Sequence, residues 1–174
     1  MELAIRNKWI SLRGSSVVKD LNENDVLKVQ GKFFTFTRKK FVMDLNDNIK
    51  YIVRNKFWFL FRRKAMIYDA DGNEVARLSR KVFSLHDRYF VESKLGKLEI
   101  MGNIFQFNYR ITLDGKEIGH IARKISLRDS YVLTIDDNFD YMLFVAMVIA
   151  IDNITDQRDS DHAGSGISFS SSNE

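Results

Sequence analysis

The chain contains no cysteine and no proline. Without cysteine there are no disulfides, thiolate metal ligands or cysteine nucleophiles, and the absence fits a reducing, cytoplasmic setting. Proline ordinarily supplies about 5% of residues, so its exclusion suits a chain in which nearly every backbone N–H is committed to a hydrogen-bond ladder. Long apolar runs are also missing. The longest, Tyr141 to Ile151, has eleven residues, against about 20 for a helix that crosses a bilayer. Met1 to Ile10 mixes polar and apolar residues and has no signal-peptide hydrophobic region.

Catalytic chemistry is equally sparse. The three histidines, His86, His120 and His162, have no cysteine or carboxylate partners at metal-site spacing, so neither a metal nor a cofactor is expected. His86-Asp87 adjacency alone gives no catalytic geometry. Gly72 and Gly115 lie outside any phosphate-binding glycine pattern and read as turn residues. Asp69 and Asp71 read as turn aspartates bonded to their own backbone rather than as a cation site. The expectation is a protein that is not an enzyme.

What is present is aromatic and repetitive. Phenylalanine occurs 14 times in 174 residues, favouring strands around a thick core, and the length suits one domain. A signature of a polar residue followed by apolar ones recurs as Lys8-Trp9-Ile10-Ser11-Leu12, Lys32-Phe33-Phe34-Thr35-Phe36, Lys56-Phe57-Trp58-Phe59-Leu60, Lys81-Val82-Phe83-Ser84-Leu85, Asn103-Ile104-Phe105-Gln106-Phe107 and Lys124-Ile125-Ser126-Leu127. The spacings are 24, 24, 25, 22 and 21 residues, which marks a repeat architecture. A hairpin fits between successive signatures. Two of these carry an Asp-Gly pair between β-formers, at Asp71-Gly72 and Asp114-Gly115.

With a lone strand at Glu2–Asn7 and another at 131–135, five hairpins make twelve strands. Pairing the two lone strands would close a barrel and abolish its edges. A β-trefoil also has twelve strands but leaves no place for a buried helix. The segment from Phe139 to Ile154 has helix length, with Asp136-Asp137-Asn138 offering a cap. It carries no polar stripe between Tyr141 and Ile151, so the helix is buried all round, either threading the barrel or capping one mouth. Phe144, Val145, Val148 and Ile151 are its expected core residues. The barrel domain spans 1–156. Residues 157–174, polar, acidic and rich in Ser and Gly, read as a disordered tail.

Together these features resemble the LURP-one-related family of the tubby C-terminal-like superfamily, whose relatives include phospholipid scramblases. The resemblance rests on the Lys-Phe-Ser-Leu-like signature, on Ile67-Tyr68-Asp69-Ala70-Asp71-Gly72-Asn73-Glu74-Val75, and on Leu143-Phe144-Val145-Ala146-Met147-Val148-Ile149-Ala150-Ile151-Asp152. It implies a mainly β fold, a twelve-stranded antiparallel closed barrel around a central hydrophobic C-terminal helix. Tubby domains bind phosphoinositides, but their basic ligands cannot be placed on this chain residue by residue.

Charge supplies the functional clue. Sixteen Lys/Arg and two acids fall in the links between repeats (8–15, 31–40, 55–64, 80–88, 102–108, 123–130), while the hairpin turns (20–25, 44–48, 69–74, 92–97, 113–117) hold eleven acids and three Lys. In an up-and-down barrel this gives one basic rim and one acidic rim. Arg38, Lys39, Lys40, Arg62, Arg63 and Lys64, 24 residues apart in consecutive links, are the candidate ligand-binding residues, beside Phe33, Phe34, Phe36, Phe57, Trp58 and Phe59. Such a rim suits an anionic membrane surface or phosphoinositide-like headgroups, with the protein peripheral to the membrane. A single-stranded nucleic acid is the weaker rival. Two further readings stand beside it: charges that only solvate the loop ends, and a protein- or small-ligand-interaction domain whose helix is purely structural.

Overall fold

A computed structural model of the chain describes residues 1–6, 15–31, 39–56, 64–81, 87–103, 108–124 and 130–164. The strands are β1 (Glu2–Arg6), β2 (Ser15–Asp20), β3 (Asp25–Gly31), β4 (Lys40–Met43), β5 (Ile49–Lys56), β6 (Lys64–Asp69), β7 (Glu74–Arg80), β8 (Asp87–Ser93), β9 (Gly96–Asn103), β10 (Asn108–Leu113), β11 (Lys116–Lys124) and β12 (Ser130–Ile135), followed by helix α1 (Tyr141–Gly164). Each strand pairs antiparallel with its sequence neighbours, and β1 pairs with β12 through Leu3 opposite Leu133, closing the barrel. All five hairpins form where the sequence puts them. Val18 faces Leu27, Met43 faces Ile49 and Tyr89 faces Ile100.

Period-two alternation fills the barrel. Val29, Val42, Val53, Ile67, Leu78, Tyr89, Ile100, Ile111, Ile121 and Leu133 all point inward and are buried. α1 threads this interior, with Phe144, Val145, Val148 and Ile151 all buried, as its all-apolar surface requires. It lies against β5 and β6, where inward residues such as Ala65 and Val53 are small. Tyr89, Tyr109 and Tyr131 fill other parts of the interior. Tyr89 and Tyr109 meet edge to face at 6.2 Å. Tyr109 needs Gly102 opposite it: a Cβ there would lie 2.7 Å from the Tyr109 Cα and 2.0 Å from the Asn108 carbonyl oxygen.

Three of the turns share one device. Asp20, Asp44 and Asp69 each accept, on one carboxylate oxygen, the backbone N–H of the asparagine four residues on, at 2.8–2.9 Å. The other oxygen accepts the Nδ2 of that asparagine, Asn24, Asn48 or Asn73, at 2.8–3.0 Å. Each clasp holds its fourth residue at positive φ: Glu23 at 65°, Asp47 at 66° and Gly72 at 90°. These side-chain bonds hold all three carboxyls below the ordinary 3.8. Asp69 is thus a turn aspartate, as its sequence context suggests. The two Asp-Gly pairs give different turns: Asp114-Gly115 makes a two-residue hairpin, whereas Asp71-Gly72 sits among the three residues that the Asp69–Asn73 clasp encloses.

The helix bounds differ from the expected 139–154. Asp136 uses its carboxylate on a turn over Asn138, and the cap is Asp140, whose Oδ1 accepts the N–H groups of Met142 and Leu143 at 2.9 and 3.4 Å. At the other end α1 runs on to Gly164. Residues 157–164, expected to be disordered, are therefore helical; α1 contains no proline and no glycine before Gly164. Residues 165–174 lie outside the described residues.

Candidate functional site

Strict alternation of strand direction assigns the two ends of the barrel. Every hairpin turn lies at one end, and the strand termini that flank the six links lie at the other. Among the described residues, the acids of the turns thus lie at one end, while Lys39, Lys40, Lys64, Arg80 and Lys81 stand at the link end. α1 starts at the turn end, where the Tyr51 hydroxyl donates to Asp140 Oδ2 at 2.5 Å. It reaches the link end where Asn55 Nδ2 donates to the Asn153 carbonyl oxygen at 3.2 Å. Burial and the Asp140 carboxylate both raise the Tyr51 pKa.

The six candidate residues divide. Arg38, Arg62 and Arg63, with Phe33, Phe34, Phe36, Phe57, Trp58 and Phe59, lie outside the described residues. Lys39 and Lys64 are half-buried on the outer face. Lys40 is only 7% exposed, because it shares the inward face of β4 with Val42. Lys39 and Lys40 therefore sit on opposite sides of the sheet, one outward and one inward.

The shoulder of β4–β6 gains a residue that the sequence reasoning missed. Arg54 is exposed on β5 beside Met66 of β6, one position beyond the Lys40–Val53 pair and so level with Lys39. Its guanidinium lies 5.5 Å from the Tyr68 ring centre, and the Lys39 ammonium lies 4.7 Å from that of Phe41. The alternation of Ile52, Val53 and Arg54 is the signal that would have found it. The outer face here combines cations with aromatic rings, Lys39 and Phe41, Arg54 and Tyr68, with Lys64 further toward the rim.

The link mouth is also polar inside. Arg80 Nε donates to Asp87 Oδ1 at 2.8 Å, and its Nη2 reaches the same oxygen. Asp87 is buried and Arg80 nearly so. The Tyr109 hydroxyl stands near this pair, with its pKa raised by burial and by Tyr89, Asp87 and Tyr131 while Arg80 opposes. Across the mouth, the buried Oδ1 of Asn55 meets no hydrogen-bond donor among the described residues. Among the described residues no group of three His, Asp or Glu is placed to hold a metal ion, and no helix is long and apolar enough to cross a membrane.

A closed twelve-stranded antiparallel barrel threaded by an apolar C-terminal helix defines a tubby-like fold. The chain belongs to the LURP-one-related family, whose model matches residues 1–152. A crystal structure of a protein from Arabidopsis thaliana superposes with a TM-score of 0.63 at 15% identity, covering 88% of this chain and 90% of that one. That likeness shows the shared fold. No curated protein matches the chain in sequence.

Proposed function

We propose that this is a non-enzymatic binding domain that docks, peripherally and from the cytoplasmic side, on anionic phospholipid headgroups through its basic link rim. The supporting observation is the sorting, in sequence, of sixteen Lys/Arg against two acids into the links and of eleven acids into the turns, on a barrel whose described strands carry their turns at one end and their link-flanking termini at the other. Each Lys or Arg near an anionic membrane contributes about 1 kcal/mol, so even part of this rim suffices for salt-sensitive association. The aromatic residues among the links suit the interfacial layer.

Co-sedimentation with phosphatidylserine vesicles at low and high salt tests the reading. Wild type sediments at low salt and is released as screening rises. The variant R38Q/K39Q/R62Q/R63Q/K64Q, which spares the inward Lys40, stays in the supernatant. Wild type that ignores these vesicles at low salt ends the membrane reading and leaves a protein- or small-ligand-interaction domain.

A further inference from the structure

The outer face of the barrel holds a cleft of about 530 Å³ across β8 to β11. Four of its lining residues, Arg88, Met101, Arg110 and His120, form one row although far apart in sequence, and the carboxylates of Asp87 and Glu117 also line it. Met101 is the register partner of both Arg88 and Arg110, and Arg110 is the partner of His120. Neighbouring strands lie about 4.8 Å apart, so the two arginines stand about 10 Å apart across Met101, close enough for both guanidinium groups to reach one small anion. His120 flanks Arg110, and Asn108 adds a carboxamide on the link side.

The arginine heads are held by contacts that exchange easily. Arg110 Nε lies 3.0 Å from Glu117 Oε2 with both side chains half or more exposed, and Arg88 Nε lies 4.0 Å from Glu99 Oε2. The Arg88 guanidinium also sits 6.0 Å from the Phe90 ring centre. Exposed pairs of this kind hold weakly, so an incoming anion displaces them without stranding a buried charge.

From this arrangement we infer that the cleft is a binding site for a phosphate monoester, with Arg88 and Arg110 gripping the phosphate from two sides, His120 and Asn108 donating to its remaining oxygens, and Met101 flooring the ester stem. Two guanidinium forks with further donors match three terminal phosphate oxygens; a monocarboxylate would satisfy only one fork. The site lies on the side wall and does not rest on the rim reading. Its phosphate can belong to a soluble metabolite or to a lipid headgroup.

The test titrates the full chain with glycerol 3-phosphate, with glycerol as control, and follows the His120 ring and Arg Nε resonances. A parallel arm uses phosphatidylcholine vesicles with and without phosphatidic acid. Saturable shifts at His120 and Arg110 with glycerol 3-phosphate support the site and a soluble ligand; a response to phosphatidic acid vesicles alone supports the site and a lipid one. Arg88→Gln with Arg110→Gln weakens either response by about tenfold or more. Arg110→Gln alone, at a side chain 65% exposed, weakens it while leaving the thermal melt unchanged. No shift in either arm, or an equal response in the variants, overturns the inference. The five-residue rim variant keeps its glycerol 3-phosphate response, which separates this site from the rim.

Discussion

The Tyr51 hydroxyl and the Asp140 carboxylate tie strand to helix at the acidic end of the barrel. One carboxylate oxygen accepts the phenol at 2.5 Å while the other caps α1. Tyr51→Phe should lower stability by about 1 kcal/mol in urea unfolding, the usual net worth of one such bond. The phenol pKa is raised above its ordinary 10.0, so this stabilisation is fully present below pH 10 and is lost as pH rises beyond it. The gap between wild type and Tyr51→Phe should therefore close in strongly alkaline solution; a gap unchanged there would contradict the assigned bond.

The threaded helix sets the second expectation. Val148 is 5% exposed inside the barrel. An unpaired carboxylate there costs several kcal/mol, comparable to the whole stability of a domain. Val148→Asp should yield no cooperative thermal transition, whereas a melt near that of wild type would place the helix outside the core.

The Asp–Asn clasps give an acid-side signature. Asp20, Asp44 and Asp69 have depressed pKa values caused first by the side chains of Asn24, Asn48 and Asn73. Their contribution is present above the unfolded value near 3.8 and is lost as pH falls through the lower folded values. The variant N24A/N48A/N73A should be less stable than wild type at neutral pH, with the difference shrinking below about pH 4. Parallel stability curves across that range would mean the clasps do not hold these carboxylates.

The Arg80–Asp87 pair inside the link mouth should show the asymmetry of buried ion pairs. Asp87→Ala leaves the Arg80 guanidinium unpaired and should cost about 3–5 kcal/mol. Replacing both, as Arg80→Met with Asp87→Leu, should cost less than the single change. Denaturant unfolding of the three proteins measures this, and a double variant worse than Asp87→Ala would contradict it.

The fold was largely legible because the signals were periodic. Six signatures near 24 residues apart, two Asp-Gly turns and one helix without a polar stripe point to twelve strands around a helix, and Leu3 opposite Leu133 closes them. Of the three clasp aspartates, only Asp69 reads as a turn aspartate in the sequence analysis; the equivalent Asp20 and Asp44, 24 and 25 residues apart in the series and each with asparagine four residues on, are missed there. The site was less so. Whether Lys40 faces in or out depends on strand phase at a link boundary, where aromatic runs hide the alternation. The row Arg88, Met101, Arg110 and His120 exists only through register between strands, which no local pattern reveals. The helical stretch 157–164 was obscured because its polar composition reads equally as tail.

The rim reading meets its most direct test in tryptophan fluorescence. Both tryptophans, Trp9 and Trp58, fall within the sequence links that the rim reading invokes, so their emission tests that reading. With phosphatidylserine vesicles carrying a doxyl-labelled lipid at low salt, emission should be quenched, and quenching should be absent with phosphatidylcholine vesicles carrying the same label. Emission that stays unquenched on the anionic vesicles would contradict docking through the basic rim.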